Sequence, residues 1–295
     1  MGLESWLRTR ARQVGLVKSP TAAAAYRQFC TWRFRGRWED EVEFRGGRFT
    51  IGHDLSLYPT VYHGGFEARE IGTLIATVRP DDTVWDVGAN IGIYAVLLGR
   101  AAHRGHVVSF EPVTETRERL RSNIARNGIT NVTVEPVALS DREGRAHMAV
   151  HANAHGCDYI DLEHGSATPR ATAVYTMTEA IDVPIMTGAT YADRSPHGTP
   201  DVIKVDIEGH EPEFLDGAWS IVADRRPTLM MEVNPPTWRT PERVERWDAT
   251  LRRLLDTYGH GTWIGPGGSA EVDHIDVATL APHAHTLILR DPTRG

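Results

Sequence analysis

Along this chain, short apolar runs alternate with longer stretches in which apolar residues recur every three or four positions. That alternation predicts strands and helices in turn, the pattern of an α/β sheet covered by helices. Strands are expected at Thr83 to Val87, Val107 to Phe110, Val132 to Val134, Asp201 to Asp206 and Thr228 to Val233. One helix is expected from Gly92 onward, where Ile91, Tyr94, Ala95 and Leu98 share a face. Further helices are expected at Thr114 to Asn127, with Leu120 and Ile124 facing inward, and at Glu211 to Trp219. Pro241 to Tyr258 carries Val244, Trp247, Leu251, Leu254 and Leu255 at amphipathic spacing. His285 to Leu289 reads as a last strand, entering the sheet as part of a closing hairpin. The fold class is therefore α/β, a Rossmann-like doubly wound sheet.

Two regions stand outside this rhythm. Glu41 to Phe44 and Arg48 to Ile51, joined through Gly46-Gly47, predict a hairpin ahead of the core. Residues 145–200 are polar and turn-rich, and read as an insertion before the fourth strand, with short strands at Ala146 to Val150 and Thr172 to Thr176. The organisation that follows is an N-terminal helical and hairpin arm over 1–65 and a main domain over 66–295, with 145–200 as a lid-like insertion.

Composition narrows the picture. At 295 residues and 41% hydrophobic content, the chain can bury one large core with an appendage. A formal charge of −7 argues against a surface built for nucleic acid. Cys30 and Cys157 lie too far apart for metal-ligand spacing, so a reducing cytoplasm is the expected setting. No apolar run approaches the roughly 18 to 20 residues of a membrane span, and no signal peptide is legible. Residues 1–37 are basic, with Arg8, Arg10, Arg12, Lys18, Arg27, Arg33, Arg35 and Arg37 against Glu4. Such an arm can contact an anionic membrane, or pack on the domain or on a twin subunit in a homodimer, and the packing reading is preferred. With core strands beginning near Val84, the arm is expected to be separable from a folded domain.

The stretch Val84-Trp85-Asp86-Val87-Gly88-Ala89-Asn90-Ile91-Gly92 joins the first core strand to its helix through a glycine-rich turn. A strand, a tight turn and a helix N-terminus form a nucleotide-shaped slot. A dinucleotide site would carry G-x-G-x-x-G, and the third glycine is absent. The next strand ends in Glu111, a carboxylate about 20 residues past the turn, placed for ribose hydroxyls. The carboxylate of Asp86 suits a ligand with a cationic amino-acid end, which points to S-adenosylmethionine. A nicotinamide-dependent oxidoreductase and a non-catalytic binding protein of the same fold are the alternatives.

Asp86-Val-Gly-Ala-Asn-Ile-Gly92, Phe110-Glu-Pro112, Asn123 with Asn127, and Lys204-Val-Asp-Ile-Glu-Gly-His-Glu211 occur in one order. In this combination the sequence resembles the FkbM family of S-adenosylmethionine-dependent methyltransferases, from about Phe66 to Asn234. The resemblance implies a seven-stranded class I methyltransferase sheet with an antiparallel last strand. It also implies O-methylation of a small molecule such as a natural product, sugar or glycolipid. By that resemblance Asp86 and the backbone of Gly88, Asn90 and Gly92 would hold the methionine moiety, and Glu111 the ribose. Ala138 would meet the adenine edge, and Phe66 and Glu67 would cover the cofactor. Where members commonly carry a Leu-Asp stretch before the fourth strand, this chain has Met186 to Tyr191.

A hydroxyl becomes a good nucleophile only as its proton leaves, so a base or a metal is required. Asp206, Glu208, His210 and Glu211 cluster at the end of the fourth strand, where open α/β sheets bind ligands. Asp206 faces the acceptor and the cofactor in this reading, Glu208 accompanies it, and His210 is the candidate base because imidazole titrates near neutrality. Asp206, Glu232 and Asn234 would also suit Mg²⁺, which prefers hard oxygen ligands; a polar rim without metal is favoured. Asn234-Pro235-Pro236 resembles the tripeptide of amino-methylating nucleic-acid enzymes, but Thr237 stands where an aromatic is needed. His151, His155, His164 and Cys157 in the insertion match no zinc spacing.

Overall fold

The computed structural model describes residues 28–55, 57–151, 158–160, 177–238, 240–281 and 283–291. Most of the basic arm, the expected strand at Thr172 to Thr176, and His155, Cys157 and His164 lie outside the described residues.

In chain order, the hairpin β1 (Glu41–Phe44) and β2 (Gly47–Thr50) comes first, followed by helices α1 (Tyr58–Tyr62) and α2 (Ala68–Ile75). The core then runs β3 (Thr83–Val87), α3 (Ile93–Ala101), β4 (His106–Phe110), α4 (Thr114–Arg126) and β5 (Val132–Glu135). A second, smaller sheet is built from β6 (Ala138–Ser140), β7 (Gly144–His151), β8 (Tyr159–Ile160) and β9 (Met177–Thr187). The core resumes with α5 (Gly188–Arg194), β10 (Val202–Val205), α6 (Glu211–Arg225), β11 (Thr228–Val233) and α7 (Pro241–Tyr258). It ends with β12 (Gly261–Gly265), β13 (Gly268–Val272) and β14 (His285–Leu289).

The main sheet has the order β13-β12-β14-β11-β10-β3-β4-β5. Strands β5, β4, β3, β10 and β11 are parallel, and β14 runs antiparallel between β11 and β12. This is the expected α/β sheet with its antiparallel last strand, enlarged from seven strands to eight by β13. The closing hairpin is β12–β13, not one that includes β14. The reason lies in β14 itself: all five of its residues are buried, which requires neighbours on both edges and cover on both faces.

Before the core, the hairpin turns through Arg45 and Gly46, both with positive φ, one residue earlier than the glycine pair suggested. Helix α4 holds it with two asparagines. Asn123 accepts from Thr50 N and donates to Thr50 O, while Asn127 accepts from Arg48 N and donates to Arg48 O. Four helical residues rise about 6 Å and two strand residues about 6.8 Å, so the amides repeat in step with the strand. A third bond, Asn123 Nδ2 to Ile91 O, ties the same helix to the glycine-rich turn.

The arm does not stand apart from the core. Cys30 and Phe34 are 1% and 2% exposed. Phe34 packs edge-on against Tyr58 and Tyr62, within the same apolar cluster as Val84, Leu98 and Val107 of the sheet layer. A cut at residue 37 would remove both from that cluster, so the arm from residue 28 is part of the folded unit.

Candidate active site

The carboxyl ends of β3, β4 and β10 open into a cleft of about 730 Å³. Its floor is the turn after β3. Gly88 has φ +76, and a Cβ there would fall 2.1 Å from the carbonyl oxygen of Asp206, because the turn passes directly over the end of β10. Gly88, Ala89 and Asn90 border the cleft. Gly92 does not: it is buried at the start of α3, where a Cβ would meet Leu120 Cδ1 at 2.4 Å, so its place in the motif is explained by helix packing.

Asp86 is likewise displaced from the role expected of it. It is fully buried and does not border the cleft. Its cross-strand neighbour is Lys204, whose ammonium lies 3.7 Å from Asp86 and 3.9 Å from Asp206. The same ammonium donates to Gly88 O at 2.9 Å and sits 5.1 Å from the centre of the Tyr94 ring. Burial alone would lower the Lys204 pKa, but Asp206, Asp86 and Glu67 outweigh it and hold the group above its ordinary value. Asp86 therefore acts on the turn through a buried cation. That cation was visible in the sequence as the one charged residue of Val202-Ile203-Lys204-Val205, an apolar strand where an unpaired charge would be prohibitive.

Glu111 is 6% exposed and held by two backbone donors, Asn90 N to Oε2 at 3.0 Å and Val113 N to Oε1 at 2.9 Å. Each oxygen keeps further acceptor capacity, and the residue borders the cleft. Burial raises its pKa to about 7 against those stabilising bonds. Ala138 borders the same cleft at the start of β6. Met148 of β7 and Ile160 of β8 add an apolar wall, so the insertion furnishes cleft residues that no motif announced.

The loop after β10 brings Asp206, Glu208 and His210 to the cleft. Glu208 adopts a left-handed backbone, φ +59, and Glu211 Oε1 accepts from Ile207 N at 2.9 Å. His210 is 3% exposed, and one nitrogen of its ring is hydrogen-bonded. Nε2 pairs with Ser140 Oγ at 2.9 Å and Nδ1 lies 3.6 Å from Glu213. Burial pulls its pKa down to about 4. A lowered pKa and a ring held by Ser140 disfavour His210 as the base, although it borders the cleft. The Ser140–His210–Glu213 alignment has the order of a hydrolytic triad, but Ser140 is fully buried and does not border the cleft.

Carboxylates gather where β10 and β11 end. Asp206, Glu211 and Glu232 each bring an oxygen within 4.8 Å of the others. Asn234 stands beside this trio, its Nδ2 donating to Glu232 Oε2 at 3.4 Å. The protein supplies its own positive charge there, through Lys204. Glu67, immediately before α2, receives a 2.6 Å hydrogen bond from Tyr94 OH. A second cavity of about 300 Å³ adjoins the cleft, lined by Met230, Ile264, Gly265 and Thr286, and its wall shares Glu67, Arg69, Glu70, Asp206 and Glu232 with the cleft.

Residues 86–258 match the methyltransferase FkbM domain. Over 215 residues, 73% of this chain and 74% of its relative, the sequence is 31% identical to the hexuronic acid methyltransferase AglP of Haloferax volcanii. The chain belongs to the FkbM methyltransferase family. It is thus a methyltransferase, of the same family as the 31-O-demethyl-FK506 methyltransferase FkbM of Streptomyces tacrolimicus, to which it is 37% identical over 78 residues. That match spans 26% of this chain and 29% of the relative. The crystal structure of methyltransferase FkbM from Methylobacillus flagellatus aligns over 90% of this chain and 58% of that one, at TM-score 0.43 and 15% identity. Among the described residues, no helix is long and apolar enough to cross a membrane.

Proposed function

We propose that this FkbM-type methyltransferase uses S-adenosylmethionine to O-methylate a hydroxyl of a small, polyhydroxylated acceptor of the sugar class. The observation that carries the reading is the pair of cavities with a common carboxylate wall. Glu111 borders the larger cavity, and the wall it shares with the smaller one carries Glu67, Glu70, Asp206 and Glu232 beside Arg69. The larger cavity fits the cofactor. Glu111, pinned by two backbone donors, has acceptor capacity left for a pair of ribose hydroxyls. The Gly88–Asn90 turn offers close backbone approach beneath the methionine end, with Gly88 O already held by Lys204. When bound, S-adenosylmethionine supplies an electrophilic methyl group on a sulfonium sulfur.

The chain's own residues do the rest. Carboxylates accept hydrogen bonds from sugar hydroxyls, and a wall of them orients a polyol while fixing which oxygen faces the cleft. Asp206 is the orienting anion, with the Lys204 ammonium 3.9 Å away. Positive charge from Lys204 makes a metal ion unnecessary in this reading, so the reaction runs without Mg²⁺. AglP is named for hexuronic acid and FkbM for an O-demethyl substrate, and both names support oxygen as the acceptor atom.

The test is a panel of methyl glycosides and uronic acids incubated with enzyme and S-adenosylmethionine, read by mass spectrometry. A gain of one methylene that survives alkali marks an ether at a hydroxyl. A gain lost in alkali marks a methyl ester at a carboxylate and would overturn the hydroxyl reading. Chelator should leave the rate unchanged; loss of activity restored by Mg²⁺ would overturn the metal-free part.

A further inference from the structure

Glu67 occupies a backbone conformation that its residue type avoids. It has φ 38 and ψ 44, in the left-handed region, immediately before α2. Strain of this kind persists where surrounding structure over-determines it, and it gathers at sites where a side chain must be aimed. Here the carboxylate receives the Tyr94 hydroxyl at 2.6 Å, and the residue belongs to the wall that both cavities share. With Arg69 and Glu70 it is supplied from outside the sheet, whereas Asp206 and Glu232 come from the ends of β10 and β11.

We propose that Glu67 is the general base that takes the proton from the acceptor hydroxyl during methyl transfer. The proposal rests on the O-methyltransferase reading above. In the step, the acceptor O–H bond breaks and its proton passes to the Glu67 carboxylate. The oxygen's electron pair forms the new bond to the methyl carbon. The methyl–sulfur bond breaks with its pair remaining on sulfur, giving the methyl ether and S-adenosylhomocysteine. Protonated Glu67 then returns the proton to water.

The other carboxylates of the wall are less suited. Asp206 is ion-paired with Lys204. Burial pushes Glu232 well above the ordinary carboxyl range, with Asp206 adding to the effect. Glu67 is raised to about 7, first by burial and then by Asp206, with the Tyr94 hydrogen bond and Lys204 opposing. The charged or titratable groups that act on it are therefore Tyr94 of α3, Lys204 and Asp206 at the end of β10, Glu70 of α2 and Glu232 of β11. A base near neutrality is the efficient choice at cellular pH.

The test uses the full chain, the sugar panel and the variants Glu67→Gln and Glu67→Asp. Glu67→Gln should lower kcat on the order of a hundredfold while KM for acceptor and cofactor stays within about threefold. The wild-type rate should fall as pH drops below about 7, and that acid limb should vanish in Glu67→Gln and return in Glu67→Asp. A second readout needs no ligand. Because the folded pKa is raised, ionising Glu67 weakens the fold as pH climbs from 4.5 through about 7. Glu67→Gln should therefore raise Tm relative to wild type at about pH 8 and change it little at about pH 4. Wild-type methylation with an unchanged kcat and pH profile in Glu67→Gln, or a Tm difference independent of pH, would overturn the base assignment alone. Failure of the wild type on the whole panel would overturn the acceptor reading, and the base assignment with it.

Discussion

At the scale of single residues, the site is organised by one buried cation. Lys204 ties Asp86, Asp206 and the Gly88 carbonyl together, so changing any of these perturbs the others. Lys204→Met should weaken S-adenosylmethionine binding and destabilise the fold by about 3 kcal/mol or more, because Asp86 is left buried without its partner. Denaturant unfolding and calorimetry of the same variant measure the two effects. Asp206→Ala is expected to cut turnover about a hundredfold with cofactor affinity little changed, since Asp206 belongs to the wall between the cavities. Steady-state kinetics beside calorimetry check it. Glu111, Gly88 and Asn90, and Ala138 to which the resemblance pointed, all border the cleft. Asp86 and Gly92 do not, because a motif records which residue types recur and not whether each faces ligand or supports one that does. His210 was attractive for its intrinsic titration, but its commitment to Ser140, 70 positions away, has no local signature.

At the scale of elements, periodicity was most informative where both faces of an element are decided by burial. The expected bounds of Thr228 to Val233, Pro241 to Tyr258 and His285 to Leu289 are those of β11, α7 and β14. Helix α6 extends to Arg225, beyond the expected Trp219, because Ile221 and Val222 continue its buried face. The hairpin β12–β13 escaped notice because β13 is the exposed edge strand, with Ser269, Ala270 and Glu271 giving no apolar alternation. Packing of the N-terminal arm is the reading its sequence prefers, but its share in the core cluster is not legible there, since the contact of Phe34 with Tyr58 joins residues far apart in sequence. Phe34→Ala is expected to cost about 3–5 kcal/mol of stability, the usual loss for emptying a buried aromatic site. Denaturant midpoints of the two proteins measure it, and a change below about 1 kcal/mol would mean that the arm is peripheral after all.

At the scale of the whole molecule, the sheet brings an excess of buried acid to one end. Glu67 and Glu111 are both raised to about 7, and Asp86 and Glu232 are raised by burial as well. Folding stability held by the protonated forms of Glu67 and Glu111 is present below pH 4.5 and is lost as pH rises through about 7. His210 acts in the opposite sense: its pKa is pulled from 6.5 to about 4, so it costs stability as pH falls across that range. Ligand that satisfies Glu111 should offset part of the alkaline loss, so the stabilisation by S-adenosylmethionine should be measured at about pH 8. The cofactor claim underlies everything else, and calorimetric titration of wild type and Glu111→Ala with S-adenosylmethionine tests it most directly. Wild type should bind one equivalent, NAD should give no heat, and Glu111→Ala should lose more than about 1.5 kcal/mol of binding free energy while remaining folded. Equal affinity in the two proteins, or no binding by wild type, would contradict the account.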